Sequence, residues 1–318
     1  MLKFIYHLFH IFYCDNMWKN LKKEDVKTPE LKISEIKNLM GSDEEIQEKL
    51  KETIDFIKNN KEPVDYKKMF GESKVIFISD SHPDILPKEE IINNLEYFKK
   101  LGVKAVALEM FSEDQQRILD NYFAGKATEE DLKEALKGWE DKGPGIIEEY
   151  IKIVDKCKEL GIKVIGIDIP YEEYLSGEME QTFKIRNNQW IDIVRKVLDD
   201  DKEAKVLVFG GGAHFGTRPD TANKIAESYG IPNTVIQFLG IEILDLNNKY
   251  YSPFLEDLIP LAAVYLGIDK ERFELPSLEP ENQNKNYFFV HLPQVEEDFL
   301  NKWEAARSDE SLTDKFPV

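Results

Sequence analysis

Ten residues constrain this chain more than any others: Lys205–His214, KVLVFGGGAH. Four apolar residues, Val206, Leu207, Val208 and Phe209, run straight into three glycines and a histidine. A short continuous apolar run bounded by glycine fits a strand buried on both faces, as in a parallel sheet. The glycines let the backbone turn, and let another group approach it closely. In open α/β sheets, ligands bind in the crevice outside the carboxyl ends of the strands. His214 therefore stands where a functional side chain is expected.

The surrounding pattern supports such a sheet. Lys74–Ser79, Lys104–Met110, Ile162–Asp168 and Thr234–Leu239 read as further strands. Helices are expected between them: from Pro87 to about Lys100, from the Ser112/Gln115 capping box to Phe123, and from Thr128 to about Lys137. Others run over Gly145–Leu160, from about Gln181 to Leu198, and over Asp220–Tyr229. Strands alternating with helices imply right-handed crossovers and an α/β fold with a mainly parallel sheet flanked by helices. The pattern predicts an α/β domain over 73–246, a helical extension over 17–72, and a C-terminal extension over 247–318. In the last, an apolar helix is expected at Leu255–Leu266, followed by a Pro/Asn-rich connector over Leu275–Asn286.

Residues 1–16 are a separate apolar N-terminal segment, whose core FIYHLFHIFYC has eleven residues. That is too short to span a bilayer as a helix, which takes roughly 20. It reads as a signal or anchor ending at Cys14, as a docking helix, or as a leader upstream of a true start at Met17. A membrane is a partner only if the segment is an anchor, and the compartment and oligomeric state stay open. Acidic residues outnumber basic ones by 61 to 42, a net charge of −19, which argues against nucleic acid as a partner. The two cysteines, Cys14 and Cys157, support neither a disulfide framework nor a cysteine zinc site. Cys157 falls on the apolar stripe of its helix and reads as a core thiol.

The exits of the expected strands carry the chemistry. They end at Asp80-Ser81-His82, at Glu109, at Asp168 and at His214. Parallel strands bring all four exits to one sheet edge, so two histidines and up to three carboxylates share a crevice. Asp168, before Ile169-Pro170, reads equally well as a turn former. His82, His214 and Glu109 form a candidate ligand set for a divalent metal such as Fe, Zn or Mn. Glu109 and Asp80 are the carboxylates placed for a catalytic role. Arg186, at the start of the helix before the His214 strand, could clamp a carboxylate or propionate. Tyr171, with Tyr174, could line the same mouth. No G-x-G-x-x-G, P-loop, G-x-S-x-G or HExxH motif is present.

In order, Asp80-Ser81-His82, Ala107-Leu108-Glu109-Met110-Phe111 with Gln115 and Gln116, Arg186-Asn187, and Gly210–His214 resemble the ChaN-like haem-binding domain. Trp139 also falls where such proteins often carry a tryptophan. That domain belongs to the wider Tiki/TraB and erythromycin-esterase-like superfamily, and the resemblance covers roughly residues 73–240. One departure is clear: the family opens with Gly-Glu-x-His, where this chain has Ser79-Asp80-Ser81-His82. The resemblance implies an α/β sheet with added helices, and haem or another small molecule as ligand. ChaN-like members are associated with haem binding and iron uptake, often as lipoproteins. Other branches are hydrolases, some metal-dependent, that use the same histidine and glutamate positions. Three functions follow as expectations: a haem- or iron-binding protein with its site at His82, Glu109, Arg186 and His214; a metal-dependent hydrolase; or a scaffold with a vestigial crevice. Whether the protein is an enzyme stays open at this point.

Overall fold

The computed structural model describes residues 44–80, 82, 85–142, 146–170, 179–216, 218–239, 272–276 and 286–292. The N-terminal segment with Cys14 and Met17, Tyr171, Tyr174 and the expected 255–266 helix lie outside these residues. The chain divides into two compact units, one holding Asp65–Phe238 with residues 286–288, the other holding residues 44–64, 272–276 and 289–292.

The first unit is an α/β sheet. Its five parallel strands are β1 (Val75–Asp80), β2 (Val103–Ser112), β3 (Lys163–Asp168), β4 (Lys205–Gly211) and β5 (Asn233–Leu239). They lie in the order β3-β2-β4-β1-β5. Tyr287, at the start of a further strand, bonds Gln237 of β5 through its hydroxyl at 3.0 Å. Strand side chains alternate between two buried faces, because both faces are covered by helices. Val75, Phe77, Ala105, Ala107, Ile165, Ile167, Val206 and Val208 form one core with the helix Met179–Asp200 and the helix Ala222–Ser228. Alternate residues, among them Ile76, Leu108 and Leu207, are fully buried on the other face. There Phe209 meets the ring of Tyr150 from the helix Ile146–Leu160, at 5.8 Å between centroids.

In chain order the helices are α1 (Glu44–Asn60), α2 (Tyr66–Phe70), α3 (Leu86–Lys100), α4 (Gln116–Phe123), α5 (Glu129–Leu136), α6 (Ile146–Leu160), α7 (Met179–Asp200) and α8 (Ala222–Ser228). Pro87 sits in the first turn of α3, where its missing N–H leaves no helical bond unmade. Ile91, Leu95 and Phe98 make its buried stripe. Ser112 with Gln115, and Thr128 with Asp131, form the capping boxes before α4 and α5. Cys157 is fully buried on α6, and that burial pushes its thiol up to about 12, so it is an inert core thiol.

The second unit holds α1 and a strand that the sequence pattern missed, β6 (Phe273–Pro276), which falls partly inside the expected connector. Glu62 and Glu274 exchange backbone bonds of 3.1 and 2.8 Å as an isolated antiparallel bridge. Four residues ending in proline are too short to show a strand periodicity. The rings of Phe273 and His291, the latter closing β7 (Tyr287–His291), stack at 4.7 Å.

Two features of the sheet position the site. Strands β1 and β4 are neighbours, yet the chain leaves β1 for β2 on one side and leaves β4 for β5 on the other. That divergence opens a crevice at their carboxyl ends. Strand β2 also slips its register against β3: Leu108 faces Gly166 and Ser112 faces Asp168, so four steps on β2 match two on β3. Such irregularities re-aim side chains at a sheet edge, and Glu109 lies inside this one. The slip brings β2 onto Gly166, where an added Cβ would stand 2.4 Å from the Ser112 carbonyl oxygen. Gly166→Ala should therefore destabilise the domain by about 1–3 kcal/mol, read as a lower urea midpoint. An unchanged midpoint would show that the strands separate freely there.

Candidate functional site

Helix α7 builds one wall of the crevice. Phe183, Arg186, Asn187 and Trp190 are spaced i, i+3, i+4, i+7 and share a face. All four are buried, Asn187 and Trp190 completely. Beneath them lie Glu109 of β2, Asp168 of β3 and the glycines of β4.

Arg186 joins the two carboxylates. Its Nε donates to Asp168 Oδ1 at 2.8 Å, and its Nη2 donates to Asp168 Oδ2 at 2.7 Å and to Glu109 Oε1 at 2.5 Å. This is the paired geometry that suits a guanidinium to a carboxylate. Asp168 also accepts from Trp190 Nε1 at 3.2 Å and from the Ile169 amide at 2.9 Å. Glu109 Oε2 accepts from the Gly211 amide.

Two imidazoles flank Glu109. His214 Nε2 is 3.4 Å from Oε1, and His82 Nε2 is 3.9 Å from Oε2. His214 is closed in between Phe183 and Trp190, stacked at 4.8 and 4.2 Å. His82 is more open, with its side chain 22% exposed. Its ring meets Trp139 edge-on at 5.5 Å, and its carbonyl accepts from the buried Lys88 Nζ at 2.8 Å.

Burial by itself would raise the Glu109 carboxyl. The positive charge of a protonated His214, of Arg186 and of a protonated His82 outweighs it and holds the group well below the usual carboxylate range. For His214 the balance reverses. Burial, helped by Arg186, lowers its pKa against the opposing pull of Glu109 and Asp168. At neutral pH the site thus holds an ionised glutamate and a neutral buried imidazole, with Arg186 as the fixed cation that compensates Glu109.

Gly210 is required by this packing. A Cβ on Gly210 would lie 2.8 Å from the Trp190 ring and 2.9 Å from Glu109 Oε2. One on Gly211 would lie 3.4 Å from both Glu109 and His82. What approaches the backbone closely is therefore the protein's own machinery.

The structure brings His82, Glu109, Arg186 and His214 together at the strand exits. Asp80 ends β1 in register with Gly211, and its side chain, like Tyr171, lies outside the described residues. Arg186 does clamp carboxylates, and they are those of Asp168 and Glu109. Among the described residues no three His, Cys, Asp or Glu groups form a set that could hold a metal ion. Arg186 and the Gly211 amide each take one oxygen of Glu109. The residues as placed do not fit the divalent metal that the sequence pattern pointed to.

Sequence reasoning missed Trp190 and Phe183 as parts of the site, took Asn187 only as part of a family motif, and left Asp168 open between a crevice carboxylate and a turn former. Their spacing with Arg186 on one helix was the available signal. The two glutamines after Phe111 are structural. Gln116 accepts from the Gly166 amide at 3.0 Å and donates to the Val164 carbonyl at 3.1 Å, and Gln115 reaches the Ala135 carbonyl at 2.6 Å. A cavity of about 300 Å³ opens beside Glu109, lined among others by Met110, Trp139, Asp168, Ile169 and Pro170.

Residues 68–206 match the family of haem-binding uptake proteins of the Tiki superfamily, ChaN. Over that stretch the chain is similar to the ChaN-like domain. The match stops short of Gly210–His214, so His214 joins the site on the geometry. No curated protein sequence matches the chain. Among solved structures, the type III effector HopBA1 is 19% identical, with a TM-score of 0.41 over 57% of this chain and 86% of its own. RRSP, a MARTX toxin effector domain from Vibrio vulnificus CMCP6, is 15% identical with a TM-score of 0.40, over 53% and 34%. ChaN of Campylobacter jejuni, solved with cofacial haem binding, is 17% identical with a TM-score of 0.37, over 61% and 89%. At that distance no activity carries over from these structures to the ChaN-like domain.

The depressed Glu109 pKa has a consequence for stability. A carboxyl lowered in the fold stabilises it fully above the unfolded value, about 4.3 for glutamate. That contribution is lost as pH falls from there through the folded pKa. The gap in unfolding free energy between wild type and Glu109→Gln should therefore shrink on acidification from neutral pH to below about 4. A gap independent of pH would show that Glu109 is not held ionised by its neighbours.

Proposed function

We propose that the ChaN-like domain binds haem at the strand exits, with His82 as the imidazole that meets it. The observation that supports this most is the contrast between the two histidines. His214 is enclosed by two aromatic rings, whereas His82 is partly exposed, beside Trp139 and next to the cavity that Trp139 and Glu109 line. An imidazole with an open face and an aromatic neighbour fits the needs of haem: an axial nitrogen and apolar surface. When bound, haem would supply an iron centre. The chain would supply the His82 nitrogen, with Lys88 steadying the backbone behind it and Glu109 beside it.

A second reading is acid–base hydrolysis in the same crevice. It is favoured by an ionised Glu109 beside a neutral His214, two groups with separated pKa values in a buried site. It needs no metal, and among the described residues no donor set is placed to hold one.

Titration of the full-length protein with haemin addresses both readings. Haem binding predicts a saturable Soret shift, weakened tenfold or more in His82→Ala. An equal affinity in that variant would remove His82 from the site, and no saturable shift would remove haem. Hydrolysis predicts turnover of a chromogenic ester or amide that Glu109→Gln abolishes.

A further inference from the structure

Asn187 lies under the site, fully buried on α7. It uses both ends of its amide. Nδ2 donates to the Asp220 carbonyl at 2.7 Å, and Oδ1 faces His214 Nδ1 at 2.6 Å. The opposite orientation of the amide would set its oxygen against the Asp220 carbonyl, two acceptors in contact. The amide is therefore fixed as placed, and its oxygen can only accept.

A consequence follows for the imidazole. Facing an acceptor at 2.6 Å, Nδ1 of His214 carries a proton. Phe183 and Trp190 stack against the ring and hold its plane. In the neutral ring Nε2 is then a bare lone pair, directed at Glu109 Oε1 3.4 Å away. Nε2 and Oε1 are then both acceptors. Without Asn187 the lower-energy arrangement is the reverse, with Nε2–H donating to the ionised Glu109.

We propose that Asn187 is a positioning residue that locks His214 in its Nδ1–H tautomer and so makes Nε2 a proton acceptor facing Glu109. The inference goes beyond haem binding, since it concerns a hydrogen bond beneath the ligand face, and it serves the hydrolytic reading equally. The charged groups around the imidazole are Glu109 from β2, Asp168 from β3 and Arg186 from α7. None of them faces Nδ1 with an atom that could replace the Asn187 oxygen.

The test is a long-range proton–nitrogen correlation spectrum of full-length protein labelled with ¹⁵N-histidine, at neutral pH, with His214 assigned by its loss in His214→Gln. The expected pattern has Nδ1 protonated and Nε2 bare. The reverse pattern, or two protonated nitrogens, would overturn the proposal in the wild type alone. Asn187→Leu, which removes the acceptor, should move most of the His214 population to the Nε2–H form. Asn187→Asp, which restores an acceptor oxygen, should keep the Nδ1–H form. A Leu variant that kept the wild-type pattern would also overturn it. Should the Leu variant fail to fold, the wild type and the Asp variant decide. These signals report on the imidazole itself, so a failed haemin titration leaves them intact and tells the two ideas apart.

Discussion

Arg186 is a permanent cation with its side chain 8% exposed, and the rest of the site is arranged around that fact. A guanidinium cannot shed its proton at any physiological pH. Taking it out of water costs several kcal/mol unless partners repay the lost hydration. Asp168 repays most of it with two bonds, and Glu109 adds a third. These partners come from β3 and β2, so the ion cluster ties the start of α7 to two neighbouring strand ends. Two carboxylates against one guanidinium leave an excess of one negative charge. That excess sits on Glu109, the member of the cluster that touches both imidazoles.

Much of this was legible in the sequence, and the reason is periodicity. Buried parallel strands are continuous apolar runs, so their ends stand out as the first charged residue, and Glu109 and His214 were placed that way. Contacts across the sequence leave no such trace. Arg186 was recognised as a carboxylate clamp, but that its carboxylates would be Asp168 and Glu109, 18 and 77 residues away, is a property of the topology. Asp168 stayed open between strand-exit carboxylate and turn former for the same reason: before Ile169-Pro170 it has the local chemistry of a turn, and only α7 folding back over β3 gives it a cation. β6 was missed because four residues carry no period.

The glycine run shows how a correct inference can attach to the wrong object. Three glycines after a buried strand do signal close approach to the backbone. At Gly210 the approaching groups are Trp190 and Glu109, and at Gly211 the amide itself becomes a donor to Glu109. The glycines thus belong to the positioning of the carboxylate. The same holds for Gln116, which from sequence marked a family motif and in space holds the β3 backbone beside the register slip.

The two imidazoles, equivalent on paper as strand-exit histidines, are separated by their surroundings. At His214, burial and the positive charge of Arg186 both oppose any added cation, and the Asn187 oxygen faces one ring nitrogen. His214 is therefore suited to stay neutral, with one ring nitrogen against the Asn187 oxygen. At His82, solvent reaches the ring, and Glu109 with its excess negative charge lies 3.9 Å away. A cationic centre held there keeps part of its hydration and gains an attraction through a low-dielectric crevice, where charges act more strongly than in water. One carboxylate, fixed by one buried arginine, thus stands between an enclosed imidazole on one side and a solvent-reached imidazole on the other.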